Sequence, residues 1–219
     1  MTKKLKLRLP SINVVIEGKT VILAPLSEKE INQQYVSWLN DPEVNEFLGV
    51  RHKKQNMRDI YNYVNGLRLS KDCEVFAIFT KSNRCYIGNI AVTPPHIASS
   101  EPGISSFGII IGDKNAQKIG FGAEASILIV DFIFCRLNAE RLELGAVEEN
   151  CKSWRMLELI GFKREGVLRQ HSVSTNGKRS NTFLYAMLKD EWEQSRNRFK
   201  NILSAAKIMP SRQFSRSKT

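Results

Sequence analysis

The chain has no apolar run long enough to cross a bilayer. Its longest candidate, Ile127 to Phe134, is about two helical turns and is broken by Asp131, against the ~18 residues a span needs. A zinc-type cluster is missing too. The four cysteines, Cys73, Cys85, Cys135 and Cys151, form no CxxC pair and no metal-ligand spacing, so no metal is expected. They read as reduced, mostly buried thiols. There is no internal repeat, and no Gly-Lys-Ser/Thr follows the glycines at 120 and 122, which excludes a Walker phosphate loop. A secretory leader is not expected either. Met1-Thr2-Lys3-Lys4 gives a charged start, but Leu5-Lys6-Leu7-Arg8-Leu9-Pro10 alternates charge with leucine where an apolar core belongs, and the reading is cytoplasmic.

Acids are missing from both ends. Residues 1–10 carry Lys3, Lys4, Lys6 and Arg8, and residues 196–219 carry seven more bases, with no acid in either segment. The net charge of +11 therefore lies in the ends, and residues 11–195 balance. That distribution argues against nucleic acid as the partner of the folded body. The expected organisation is a basic N-terminal segment over 1–13, one domain over 14–195, and a basic tail over 196–219 that frays.

What is present is a strand and helix pattern. Val14 to Leu23 reads as two strands around a Glu-Gly-Lys turn. Ser27-Glu28-Lys29-Glu30 has the capping-box spacing and predicts a helix through Leu39, stopped by Asn40-Asp41-Pro42. A second helix is predicted from Asn56 to Leu69. Strands are predicted near 75–79, 85–92 and 106–111, a long helix to Asn138, and a strand over 141–147. A helix over 153–160 and two strands joined at Asn176-Gly177 complete the series. This order predicts a mixed α/β fold in which only the crossovers around 106–147 and 141–170 require parallel pairing.

Gly120 and Gly122 stand at the start of the long apolar helix. Free amides and the helix dipole make such a start an anion site, and glycine lets a phosphate come close. The alternative is that they permit a tight turn and close packing. A second stretch, VEENCKSWRMLELIGFKREG from Val147 to Gly166, follows the next strand.

Together, Gln117-Lys118-Ile119-Gly120-Phe121-Gly122 and Asn150-x-x-Ser153 with Gly161-Phe162 resemble the GCN5-related N-acetyltransferase (GNAT) superfamily, in its ribosomal-protein-acetyltransferase-like (RimJ/RimL-type) branch, over residues 15–192. The resemblance implies a GNAT fold: a central mixed, mostly antiparallel sheet with a splayed parallel strand pair, flanked by helices. It implies acetyl-CoA as cosubstrate and direct transfer to a primary amine. By the same resemblance, Gln117, Lys118, Ile119, Gly120, Phe121, Gly122 and Ala123 hold the pyrophosphate. Ile109, Ile110 and Ile111 pair with the pantetheine arm, and Asn150 hydrogen-bonds it. Ser153 assists the leaving thiolate, unless it only caps its helix.

The pattern also departs from the family. Leu157 stands where many members have a tyrosine acid, and Ser172, with His171 beside it, stands where some have a glutamate base. Strand alternation would set His171 and Ser172 on opposite faces. The acceptor is read from Trp38 to His52. Trp38, Arg51 and His52 are the candidate substrate-binding residues, and Arg51 to Lys54 favour an anionic acceptor such as a nucleotide-linked amino sugar. A protein N-terminus is the alternative, a homodimer is left open, and a non-catalytic acyl-CoA-binding protein is the reading of another class.

Overall fold

The apolar stretches assemble into one sheet. The computed structural model describes residues 6–69, 73–93, 102–117 and 119–214. The strands are β1 Val14–Glu17, β2 Val21–Pro25, β3 Glu74–Thr80, β4 Tyr86–Thr93, β5 Ile104–Ile111, β6 Arg141–Val147, β7 Lys163–Val173, β8 Arg179–Leu188 and β9 Lys207–Pro210. Their order is β7-β8-β6-β5-β4-β3-β2-β1-β9. Every neighbouring pair is antiparallel except β5 and β6. The expected mixed, mostly antiparallel sheet with a parallel pair is what forms, but the second crossover, 141–170, makes no parallel pair, because β8 inserts between β6 and β7 and runs antiparallel to both.

Helices cover both faces. On one side lie α4 Phe121–Arg136, α5 Cys151–Ile160 and α6 Lys189–Arg196, over a core that includes Leu23, Phe76, Ile90, Ile129 and Trp192. On the other side lie α1 Gln33–Asn40 and α3 Met57–Leu67, over Ile22, Ala24, Val75, Ala77 and Phe79. The short α2, Pro42–Asn45, joins them. Helix α4 is apolar all round because it is enclosed: it packs on β2 and β5 and also against α6 and α7, Lys200–Leu203. Each large side chain buried there contributes roughly 1.5–3 kcal/mol. Its one buried acid, Glu124, accepts from Thr20 N at 2.8 Å and Thr20 Oγ1 at 2.6 Å, tying α4 to the β1–β2 turn.

Two further expectations differ. The Ser27 capping box does not open a helix. Ser27 donates from N and Oγ to Glu30 Oε2 at 2.8 and 2.7 Å, which closes a turn. Helix α1 starts later, with Asn32 accepting from Tyr35 N. The stop at Asp41-Pro42 is real, and Asp41 then caps α2. The second difference is the tail. Residues 207–210 form β9 against β1, and Phe214 packs on Phe79 at 5.4 Å, so the chain stays folded well past residue 195. The N-terminal segment is anchored from residue 6. Arg8 N donates to Asn65 Oδ1 at 2.7 Å, and Arg68, paired with Glu74 in the interior, donates to Arg8 O at 2.8 Å.

Candidate active site

Pairing of β5 with β6 covers only Ile104↔Arg141 and Ser105↔Leu142. Beyond that the strands part, and residues 107–111 with Leu144 and Gly145 line a cavity of about 1550 Å³. Strand alternation decides which backbone groups face the gap. Gly112 N donates to Ile87 O at 2.9 Å, and Ile110 turns its carbonyl against Gly88, both toward β4. Ile109 and Ile111 therefore present their backbone groups to the gap, while their side chains pack under α4. Ile110 faces the opposite core.

The glycine turn closes one end. Gln117 Nε2 donates to Ile111 O at 3.0 Å, which pins the turn to the strand. Gly120 caps α4 at φ 96°, a left-handed conformation that glycine adopts freely, and no side chain among the described residues caps the helix. A Cβ at Gly122 would sit 3.3 Å from Ile111 Cγ1, so a side chain there would crowd the helix–strand contact. Gln117, Gly120, Gly122 and Ala123 line the cavity; Ile119 and Phe121 do not, and Ile119 is exposed. Lys118 lies outside the described residues.

The start of α5 forms the facing wall. Asn150 is its N-cap, accepting from Ser153 N at 3.3 Å. The helix begins at Cys151, two residues before the position expected from sequence, because the cap is Asn150 and not Ser153. Ser153 Oγ has no partner among the described residues, and Ser153 lines the cavity with Asn150, Cys151 and Leu157. His171 and Ser172 differ from expectation. Gln170 has φ 51° and the β7–β8 register shifts between Leu168 and Ser172, so alternation fails. Both His171 Nδ1 and Ser172 Oγ meet Thr182 Oγ1, at 3.2 and 2.9 Å, away from the cavity lining. Glu165 pairs with Arg141, which lowers its pKa.

The other end of the cavity is walled by Tyr35, Leu39, Phe47, Leu48, Ile60 and Tyr63. None of Trp38, Arg51 and His52 is in the lining. Trp38 is 7% exposed; its indole lies where a side chain on Gly112 would be, and it packs on Tyr86 at 4.9 Å. Arg51 spends its donors on carbonyls: Nη1 on Leu48 O at 2.7 Å, and Nη2 on Val173 O at 2.6 Å. It thus ties the Gly49–His52 turn to the β7–β8 hairpin. His52 is exposed, and Lys53 pairs with Asp59 at 3.2 Å. Charged lining residues are Glu43, Glu46, Asp59 and Glu149 against Lys152. Backbone donation from Asn56 and the Lys53 ammonium hold Asp59 below the usual carboxylate range, and the Ser180 hydroxyl does so for Glu149. Burial raises the Tyr35 and Tyr86 phenols. Sequence reasoning missed Tyr35, Glu46 and Asn89. The signal for Asn89 was available: an amide inside the apolar run Tyr86–Val92.

Comparisons agree with this geometry. The Acetyltransferase (GNAT) domain family model matches residues 20–163, more than half of the chain. The "Uncharacterized N-acetyltransferase p20" of Bacillus licheniformis is 27% identical over 178 residues, covering 80% of this chain and 96% of that protein. A GCN5-related N-acetyltransferase from Brucella melitensis has the same fold at TM-score 0.69 and 21% identity, covering 91% of this chain and 89% of that one. Spermidine N-acetyltransferase from Vibrio cholerae, solved with CoA and spermine, matches in fold at TM-score 0.68 and 18% identity, covering 79% of this chain and 98% of its own. A parted strand pair, a glycine-capped helix beside it, and the family match over the same residues lead to one conclusion: this chain is an acyltransferase and belongs to the GNAT acetyltransferase family.

Proposed function

We propose that the protein moves an acetyl group from acetyl-CoA to a primary amine by direct attack in a ternary complex. The observation that carries this reading is the short β5–β6 pairing, which leaves strand backbone open beside a glycine-capped helix start. Those features fit the cosubstrate. The uncapped first amides of α4 suit a pyrophosphate, with Gly120 and Gly122 keeping side chains off it. The backbone groups of Ile109 and Ile111 suit the amides of the pantetheine arm, and Asn150, whose Oδ1 serves the cap, keeps its NH₂ for the same arm. When bound, acetyl-CoA supplies the activated acetyl group and the thiolate that leaves.

The chain's own residues then orient and stabilise. Gap-facing amides polarise the acetyl carbonyl, and Ser153 Oγ donates to the departing sulfur. Proximity supplies most of the rate. Asp59 and Glu149 in the lining are both lowered, so neither is poised as a base near neutral pH. The amine proton leaves through water in the open cavity, without the 10²–10⁴-fold help a positioned base gives.

The acceptor reading changes with the structure. A nucleotide-linked amino sugar would be held by Arg51 and His52, which do not line the cavity. The four lining carboxylates, Glu43, Glu46, Asp59 and Glu149, favour an amine without net negative charge. A peptide amine, as the ribosomal-protein-acetyltransferase-like branch implies, meets that condition. Calorimetry with acetyl-CoA, followed by thiol release with anionic, neutral and cationic amines, tests the reading. Acetyl-CoA binding and turnover of neutral or cationic amines are expected; no binding sinks it.

A further inference from the structure

Asn89 sits on β4, 3% exposed, on the face covered by α1 and α3, and it is part of the cavity lining. Tyr86 Oη donates to Asn89 Oδ1 at 2.9 Å. Asn89 Nδ2 is buried and has no hydrogen-bond partner among the described residues. An unpaired buried donor is destabilising, and native proteins retain few of them.

Its neighbours leave room for an occupant. In the β4–β5 register, Asn89 lies opposite Ile110 and Ala91 opposite Gly108. A Cβ at Gly108 would meet nothing within 4 Å among the described residues. The floor beside Asn89 is therefore low, while Tyr35 and Tyr63 stand among the walls. Asn89 Nδ2 is shut off from solvent as it stands. The final torsion of asparagine is soft, and the Tyr86 hydroxyl can donate or accept. Turning the amide exchanges Oδ1 and Nδ2, so that Nδ2 donates one hydrogen to Tyr86 Oη and has its second hydrogen left for an occupant.

The position selects what Nδ2 can meet. Strand β5 separates Asn89 from the β5–β6 gap, so the acetyl carbonyl is not its partner. An N–H donor repels an ammonium group and gains nothing from a methylene. We propose that Asn89 orients the acceptor: Nδ2 donates to a neutral oxygen beside the reacting nitrogen. The chamber then selects amines with an adjacent carbonyl or hydroxyl over alkyl amines and polyamines. This rests on the acetyltransferase reading above and deepens it to a substrate class.

The test is thiol release at saturating acetyl-CoA with phenylalaninamide, phenylalaninol, phenethylamine and spermidine. The first two share an aromatic body with the third and add a carbonyl or a hydroxyl, so they separate the two oxygen sources. The wild-type protein is expected to turn over one of the oxygen-bearing amines and to favour it. Asn89→Leu lowers kcat/KM for that amine, relative to phenethylamine, about 10-fold. Comparing the ratio between proteins cancels the different basicities of the amines. Tyr86→Phe, which keeps Nδ2 but frees the amide, gives a smaller loss and remains informative if Asn89→Leu does not fold. An unchanged ratio in a folded Asn89→Leu overturns the proposal. So does equal or better turnover of phenethylamine or spermidine by the wild type. Acetyl-CoA binding without thiol release from any of the four overturns this inference and leaves the cosubstrate site standing. Failure to bind acetyl-CoA overturns the acetyltransferase reading itself.

Discussion

The two ends of the cavity are built differently. The cosubstrate end comes from local pieces: a strand end, a glycine turn and two helix starts, each within a few residues of its motif. The acceptor end comes from distant pieces. Arg51 reaches Val173, 122 residues away, to hold its wall together. A short motif can specify backbone geometry on its own, because φ and helix capping are local. It cannot specify which side chains of a loop face inward, because that depends on what packs behind them.

Breaking the cosubstrate end should have the largest effect. Gly122→Val pushes a branched side chain against Ile111, already 3.3 Å from a Cβ at that position, and into the space the pyrophosphate needs. Acetyl-CoA affinity should fall at least ~30-fold, about 2 kcal/mol, in a protein that still melts cooperatively. Unchanged affinity in the folded variant would show that the glycines serve packing alone.

The α5 start sharpens the contrast, because capping and chemistry are carried by different residues there. Ser153→Ala should lower kcat by ~2 kcal/mol of barrier, roughly 30-fold, with little change in acetyl-CoA affinity. Its thermal stability should hold, since Asn150 is the cap. Asn150→Ala should instead cost about 1 kcal/mol of stability. Measuring melting and kcat on both variants decides it; a destabilised but fully active Ser153→Ala contradicts the assignment.

How much of this was legible in the sequence follows the same division. The sheet, the order of its elements and the Gly120–Gly122 turn were legible because apolar periodicity and glycine placement are local signals. The start of α1 was misplaced because Ser27 and Glu30 bond to each other in a turn as readily as at a helix start. Strand β9 was invisible: Lys207–Pro210 has a strand's conformation only by pairing with β1, some two hundred residues earlier in the chain. Trp38 looked available for a substrate and is instead the lid on Gly112. The bulge at Gln170 was equally hidden, because a positive φ at a glutamine has no sequence signature.

At the acceptor end, smaller effects are expected. Arg51→Ala should raise the acceptor KM several-fold by loosening the Gly49–His52 turn, while acetyl-CoA affinity stays unchanged. His52→Ala should change neither, because His52 is exposed and does not line the cavity. A loss confined to anionic acceptors in both variants would restore the reading in which they bind substrate. The smallest effect is in the pH profile. Asp59 and Glu149, with lowered pKa values, stay ionised through the neutral range, so kcat/KM should rise with pH until the acceptor amine itself is deprotonated. Two amines of different basicity should give two different inflections; a shared one would reveal a base on the protein.

The most direct measurement is residue-resolved amide exchange with and without acetyl-CoA. Ile109 and Ile111 face the open β5–β6 gap, whereas Ile110 faces β4. Acetyl-CoA is expected to slow exchange at Ile109 or Ile111, and at the first amides of α4, while Ile110 is unaffected. Saturating acetyl-CoA that leaves all of these amides unchanged would contradict this placement of the cosubstrate.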